Sequence, residues 1–285
     1  MSNNYLSLGF IGAGNMAYGL AKGIVNSGKK VEISVYDPDI ERQDFIKNAL
    51  GVTILNSISE VIKNSELVFI AVKPSVVASV LETASGAING MKSKKEVIFV
   101  SIAGGVSISA MRQAFGKYRG ASSIFKVVRV MPNINSLIGG GMSVVCSDNS
   151  VKERELKTII DILKTSSKVL VLEEKYFDAV TALSGSGPAY FFLIAEAFIE
   201  AGIKLGFSRG IAKSLVVQTI LGSSELLNSK EFGSYSIQEL MDMVTSPGGT
   251  TAYGLSKLEE GRIKYVIDSA VNAAYLRSKE LAFLT

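Results

Sequence analysis

Near its start the chain reads Leu8-Gly9-Phe10-Ile11-Gly12-Ala13-Gly14-Asn15-Met16-Ala17, a short apolar run that goes directly into a glycine-rich turn. Few stretches restrict a fold more tightly, because such a turn belongs between a buried strand and a helix that starts at once. Gly12 suits the tight exit from the strand. Gly14 lets backbone N–H groups approach an anion with no Cβ in the way, and Ala17 fills the third small position. Met16, Leu20, Ala21, Ile24 and Val25 then repeat at helical spacing, so the positive end of a helix points back at the turn. A second strand ends in Asp37, about 20 residues past the turn, where an acidic side chain meets a ribose in dinucleotide sites. The pattern predicts the entrance to a dinucleotide site; a purely structural glycine turn is the alternative.

The alternation goes on through the first half of the chain. Apolar, β-branched runs at residues 8–11, 33–36, 67–72, 97–102 and 127–131 are separated by helical patterns at 16–27, 40–50, 59–64, 76–88 and 108–115. Strands and helices in strict turn give an α/β fold, a doubly wound parallel sheet whose ligands lie at the carboxyl ends of the strands. Those ends read Gly12-Ala13-Gly14-Asn15-Met16, Asp37-Pro38, Ala71-Val72-Lys73-Pro74, Ser101-Ile102-Ala103-Gly104-Gly105 and Met131-Pro132-Asn133. A short antiparallel edge, residues 142–146 and 169–172, is expected to close the sheet around a helix over 151–165. From about Lys175 the pattern is helix after helix, which places the domain boundary between residues 1–174 and 175–285. Residues 189–199 are apolar nearly all round, with Glu196, Glu200 and Lys204 alone forming a charged stripe at i, i+4 and i+8. A helix of that kind wants burial on more than one side, and a small all-α domain offers limited cover. A homodimer through these helices is the expected remedy.

Composition removes chemistries rather than naming one. The 285-residue chain holds no histidine, which excludes His-based zinc sites, Ser-His-Asp triads and a histidine general acid. Its one cysteine, Cys146, excludes an internal disulfide and a cysteine-rich metal site, so no metal is expected. The net charge of +4 is scattered, without a basic block, and gives no reason to expect nucleic acid. The start Met1-Ser2-Asn3-Asn4 lacks the features of a signal peptide, and residues 189–199, interrupted by Glu196, fall short of the ~18 uncharged residues a membrane span needs. A cytoplasmic protein with no membrane association is the expectation.

Two stretches of the helical half stand out, Ser184-Gly185-Ser186-Gly187-Pro188-Ala189-Tyr190 and Thr245-Ser246-Pro247-Gly248-Gly249-Thr250-Thr251. In the second, Ser246 can cap, Pro247 suits a first helical position, and two glycines expose backbone N–H groups before a helix. One reading is an anion pocket that takes a carboxylate, with the Thr250 and Thr251 hydroxyls placed to donate a hydrogen bond or relay a proton. The other is an ordinary cap and turn, the commoner use of these residues. For the first stretch, close helix packing with an N-terminal proline is likewise commoner than ligand contact.

These motifs, taken together and in order, carry a family resemblance. The chain resembles pyrroline-5-carboxylate reductase over nearly its whole length. The matching pieces are the Phe-Ile-Gly-Ala-Gly-Asn-Met turn, Ala71-Val72-Lys73-Pro74, Ser101-Ile102-Ala103-Gly104-Gly105-Val106, Arg129-Val130-Met131-Pro132-Asn133, Ala182 through Tyr190 and Asp242 through Thr251. The resemblance implies a Rossmann domain for NADPH or NADH, followed by an all-α dimerisation domain that interlocks with a partner's, often within a larger ring. The implied reaction is hydride transfer to the C=N carbon of 1-pyrroline-5-carboxylate, giving L-proline as the last step of proline biosynthesis. Gly12, Ala13, Gly14, Asn15, Met16, Asp37, Ala71, Val72, Lys73, Pro74, Ala103 and Gly104 would face the cofactor. The substrate carboxylate would sit on N–H groups around Gly248, Gly249 and Thr250 beside Ser246, with Thr251 matching the family's threonine that hydrogen-bonds the ring nitrogen. Glu174 aligns with an acidic residue near bound proline in relatives; a solvated charge at a helix start is its other reading. Lys73 is expected to shape the cofactor turn rather than to act as a catalyst.

Some positions depart from the family pattern. Many relatives have Met-Pro-Asn-Thr-Pro where this chain has Met131-Pro132-Asn133-Ile134-Asn135, Gly104 replaces a frequent alanine, and Met243 stands where some carry a polar residue. Asp37 puts a carboxylate where a ribose 2′-phosphate would come close, which favours NADH by like-charge repulsion, while Arg42 offers a compensating charge. Two other readings exist. A β-hydroxyacid dehydrogenase would carry a lysine in its glycine-rich helical segment, which residues 184–190 lack. A dinucleotide-binding scaffold would not need the Ser-Pro-Gly-Gly-Thr-Thr segment.

Overall fold

The computed structural model describes residues 5–91, 96–116 and 125–283. The chain divides into two compact units, one made of residues 1–188 with 274–285, the other of residues 189–273.

The first unit opens with β1 (Leu6–Ile11), α1 (Asn15–Asn26), β2 (Val31–Tyr36), α2 (Ile40–Leu50), β3 (Thr53–Ile54), α3 (Ile58–Asn64) and β4 (Leu67–Ile70). It continues through α4 (Val77–Asn89), β5 (Val97–Ser101), α5 (Ile108–Gly116), β6 (Phe125–Met131), β7 (Gly141–Ser147), α6 (Glu153–Leu163) and β8 (Ser167–Val171). The strands form one sheet in the order β3-β2-β1-β4-β5-β6-β7-β8, parallel throughout except where β7 runs antiparallel to β6. Strand order reverses at β1, which pairs β2 on one side and β4 on the other, and the crevice at such a switch point is where ligands of doubly wound sheets bind.

The central strands are apolar without interruption because both of their faces are covered. In β4, Leu67 and Phe69 join the core beneath α1 and α6, while Val68 and Ile70 join the core beneath α3, α4 and α5. Phe10 of β1 lies in register with Phe69, their rings stacked 4.6 Å apart on one face. Phe99, Phe115 and Phe125 cluster on the other.

Two expectations from the sequence need adjustment here. The short β3 is an addition to them; two residues paired to β2 through Ser34 and Val35 give no periodicity to read. At the far edge the expected antiparallel pairing lies between β6 and β7, whereas β8 runs parallel to β7 with the helix α6 making the crossover between them.

After β8 the chain is helical, with α7 (Phe177–Val180), α8 (Gly187–Lys204), α9 (Arg209–Asn228), α10 (Ile237–Met243), α11 (Thr250–Glu260) and α12 (Ile263–Phe283). A π-helical turn, Thr181–Gly185, joins α7 to α8, with Ser186 N–H donating to Thr181 O at 2.8 Å. The result is a continuous helical run, Glu174–Lys204, longer than the segment counted from sequence, and by length and composition one window of it could cross a membrane. Glu196 and Glu200 still interrupt it, so residues 189–199 remain short of the ~18 uncharged residues a span needs.

Within the second unit the apolar side chains are largely uncovered in the single chain. Only Ile199 and Ala212 among its described hydrophobic residues are buried, whereas Phe191, Phe192 and Leu193 of α8 are 64, 65 and 72 % exposed. Its polar contacts include a capping box of Ser236 and Glu239 at the start of α10 and an exposed pair of Arg209 with Glu196 at 2.6 Å.

Candidate functional site

The glycine-rich turn folds as its sequence requires. Gly12 sits at φ +104°, and its N–H donates to Tyr36 O at 2.7 Å, tying the turn to the end of β2. A Cβ at this position would lie 2.5 Å from the Ala71 carbonyl oxygen, so the ends of β1 and β4 approach as closely as they do because residue 12 has no side chain. Gly14 is the N-cap of α1 and supplies no side-chain cap, leaving the leading N–H groups of the helix for an outside acceptor.

A cavity of about 660 Å³ opens over this turn at the β1/β4 switch point. Gly12, Gly14, Asn15, Met16, Asp37, Ala71, Val72 and Lys73 of the expected cofactor set all line it. Ala13 is buried beneath, its N–H donating to Asp37 Oδ2 at 2.7 Å. Pro74 starts a short 3-10 turn, Pro74–Val76, and lines a separate small cleft, while Ala103 is buried at the end of β5 and Gly104 half-buried, neither among the residues of the main cavity. Sequence reasoning misses one wall, made by Val76, Ser79, Val80 and Thr83. Their i, i+3, i+4, i+7 spacing is the available signal, a single helix face that presents two hydroxyls to the cavity.

Asp37 is held more tightly than a free ribose ligand would be. It is 7 % exposed, Oδ1 accepts from Asp39 N–H at 2.9 Å, and Gln43 donates to its carbonyl. Both carboxylate oxygens thus brace the glycine turn and the start of α2.

Glu174 lies elsewhere in the same unit. Its Oε1 accepts from Arg129 Nη1 at 2.9 Å and from the N–H of Ile108, the first residue of α5, at 2.7 Å. Arg129 is buried, with its guanidinium 4.7 Å from the centre of the Phe177 ring. Cys146 lines the cleft beside them. Burial, and then the Glu174 charge, push its thiol up to about 12, against a smaller opposing pull from Arg129. The unfolded thiol ionises from about 9, so between these values the unfolded state binds fewer protons and this group lowers stability as pH rises. Urea midpoints at about pH 8 and about pH 10 should therefore fall more steeply in the natural protein than in Cys146→Ala; equal slopes would show that the thiol does not contribute.

The residues expected to hold a substrate belong to the second unit. Gly249 N–H donates to Ser246 O at 3.0 Å, with Pro247 and Gly248 between them and Gly248 at φ +68°, the pattern of a type II turn. Gly249 then N-caps α11 without a side-chain cap, and Thr250 and Thr251 are its first two residues. Ser246, Gly248 and Thr250 are exposed in the single chain, and Gly249 and Thr251 half-buried. Among the described residues no group of three or more Asp, Glu or Cys side chains is arranged to hold a metal ion.

Comparison with known proteins bears on what these parts serve. Residues 174–281 match the family profile described as pyrroline-5-carboxylate reductase dimerisation, and residues 7–105 match one described as NADP oxidoreductase, coenzyme F420-dependent. Pyrroline-5-carboxylate reductase of Glycine max is 36% identical over 280 residues, covering 97% of this chain and 96% of that protein. The chain belongs to the pyrroline-5-carboxylate reductase family. The Mycobacterium leprae pyrroline-5-carboxylate reductase is 32% identical, covering 99% of this chain and 98% of its own. Among solved structures, the pyrroline carboxylate reductase of Plasmodium falciparum, with NADP bound, superposes with a TM-score of 0.83 at 35% identity, covering 98% of this chain and 99% of that one. As in any pyrroline-5-carboxylate reductase, the cofactor is NAD(P)H, and the uncapped start of α1 at the strand switch point fits its pyrophosphate.

Proposed function

We propose that this chain reduces 1-pyrroline-5-carboxylate to L-proline with NAD(P)H, the last step of proline biosynthesis, and that it does so as a homodimer within a larger homo-oligomer in the cytoplasm. The observation that carries the reading is the turn before α11: two glycines and an uncapped helix start, followed at once by two threonine hydroxyls. Backbone N–H groups around Gly248, Gly249 and Thr250, with Ser246 beside them, suit the substrate carboxylate. Thr251 then hydrogen-bonds the ring nitrogen. The bound dinucleotide supplies a hydride to the C=N carbon, and the protein's task is to orient the nitrogen and stabilise its protonated form, which accepts hydride more readily. No histidine is required for that, which agrees with a chain that has none.

The helical part from residue 175 onward is the dimerisation and substrate domain in this reading, after a cofactor domain of residues 1–174. The exposed apolar side chains of α8 are the surface a partner subunit covers, rather than one that meets a bilayer. Neither a metal nor a nucleic acid takes part.

The test is loss of nicotinamide absorbance when 1-pyrroline-5-carboxylate is added to the purified protein. Thr251→Ala should lower turnover by about 10- to 100-fold, the range of one positioned hydrogen bond or proton relay, with NAD(P)H binding unchanged. Thr251→Ser should restore most of it. Full turnover in Thr251→Ala would remove the hydroxyl from the mechanism, and no oxidation by folded natural protein would overturn the reaction itself.

A further inference from the structure

The cavity over the glycine turn carries information about which dinucleotide it takes, and the acid that sequence reasoning points to is not the side chain that decides. Asp37 has each carboxylate oxygen on a backbone N–H, Ala13 at 2.7 Å and Asp39 at 2.9 Å, and it is buried. Bound in this way it braces the turn for any dinucleotide.

Arg42 is placed differently. It leaves the first turn of α2 and forms part of the wall of two cavities that flank Gly14, one over the turn and one between the starts of α1 and α2. Its Nη1 is 3.7 Å from where a Gly14 Cβ would stand. Its side chain is 56% exposed, and its ion pair is to Asp39 through Nε at 3.4 Å, which leaves both Nη groups without a carboxylate partner among the described residues. An exposed pair of this length contributes little, so an incoming dianion displaces it easily. Asp39 stays occupied without Arg42, since it N-caps α2 by accepting from Glu41 N–H at 3.0 Å.

We infer that Arg42 is the specificity-determining residue of the cofactor site: it takes the ribose 2′-phosphate, so the protein selects NADPH over NADH despite Asp37. The planar guanidinium fork pairs with two phosphate oxygens, a geometry in which Arg binds dianions better than Lys. Asp37 is the acid that lines the cavity over the turn, and it is spent on that turn; Asp39 and Glu41 line the neighbouring cavity beside Arg42, and of the two Asp39 holds the ion pair that gives way on binding. This inference rests on the reading of the turn as a dinucleotide site, and not on the identity of the reduced substrate.

The test measures binding without any imine present, so failure of the reductase reading and failure of this one are separable. Dissociation constants for NADPH and NADH come from nicotinamide fluorescence, and those for 2′,5′-ADP and ADP from calorimetry. The natural protein should bind each 2′-phosphorylated compound at least about tenfold more tightly than its counterpart, the size of one charge-assisted contact. Arg42→Gln should weaken NADPH and 2′,5′-ADP by about 10- to 100-fold while changing NADH by less than about twofold. Asp39→Asn, which keeps a good N-cap and removes the competing charge, should tighten 2′,5′-ADP. Equal losses for NADH and NADPH in Arg42→Gln would assign Arg42 to the pyrophosphate instead and overturn the inference. So would unchanged binding of both, or a natural protein that prefers NADH.

Discussion

Gly12→Ala will remove dinucleotide binding and destabilise the first unit by about 3 kcal/mol or more. Two separate causes add. An alanine held at φ +104° is in a region L-residues rarely enter, a strain of about 1–3 kcal/mol. The added methyl would also meet the Ala71 carbonyl oxygen at 2.5 Å, and that neighbour is backbone at the end of β4 rather than the tip of a flexible side chain. Relief requires β1 and β4 to part at the switch point, which breaks the Gly12 to Tyr36 hydrogen bond and opens the cradle at the start of α1. Urea unfolding and NADPH fluorescence on the same sample check both halves. A variant that keeps natural stability and cofactor affinity would show that the turn is not a tight junction between the two strands.

The second large effect is expected at Glu174. Breaking a buried ion pair by removing one partner generally costs about 3–5 kcal/mol, because the remaining charge is stranded. Arg129 is the buried partner here, 6% exposed beneath the helical run, while the Glu174 side chain is 35% exposed, so water relieves part of the cost and about 2–4 kcal/mol is expected for Glu174→Ala. The same change frees the N–H of Ile108 at the start of α5. Removing both charges in Arg129→Met with Glu174→Gln should recover most of the loss, since no buried charge is stranded and the amide oxygen can still accept from Ile108 N–H. The comparison separates the two readings of Glu174. A stability loss repaired in the double variant marks a brace between β6, α5 and the helical run. A natural unfolding midpoint with a raised KM for the imine marks a substrate ligand instead.

Much of this architecture is legible in the order of the residues. The run from Leu8 to Ala17 specifies a strand, a tight turn and a helix because each residue's local conformational preference agrees with the next. Central strands announce themselves as unbroken apolar runs, and the second half reads as helix after helix with no strand signal. Ser246-Pro247-Gly248-Gly249 declares its turn through a proline that fixes φ and a glycine that permits φ +68°. The exposed face of α8 follows from an apolar helix in a small domain.

Other features depend on partners far away along the chain. The direction of β8 is set by which strand it pairs and not by its own residues, and β3 exists only because β2 has a free edge. From its position Asp37 reads as a ribose acceptor; its commitment to the Ala13 N–H arises from the approach of the β1 and β2 ends. Arg129 and Glu174 are 45 residues apart, and no local pattern joins them. The elements, the cofactor turn and the family are thus written in short-range period and in the conformational limits of single residues, so the order of amino acids suffices for them. Which charged groups are spent on holding the fold, and which remain free to meet a ligand, is settled by packing, because a side chain acquires its partner only when distant strands and helices come together.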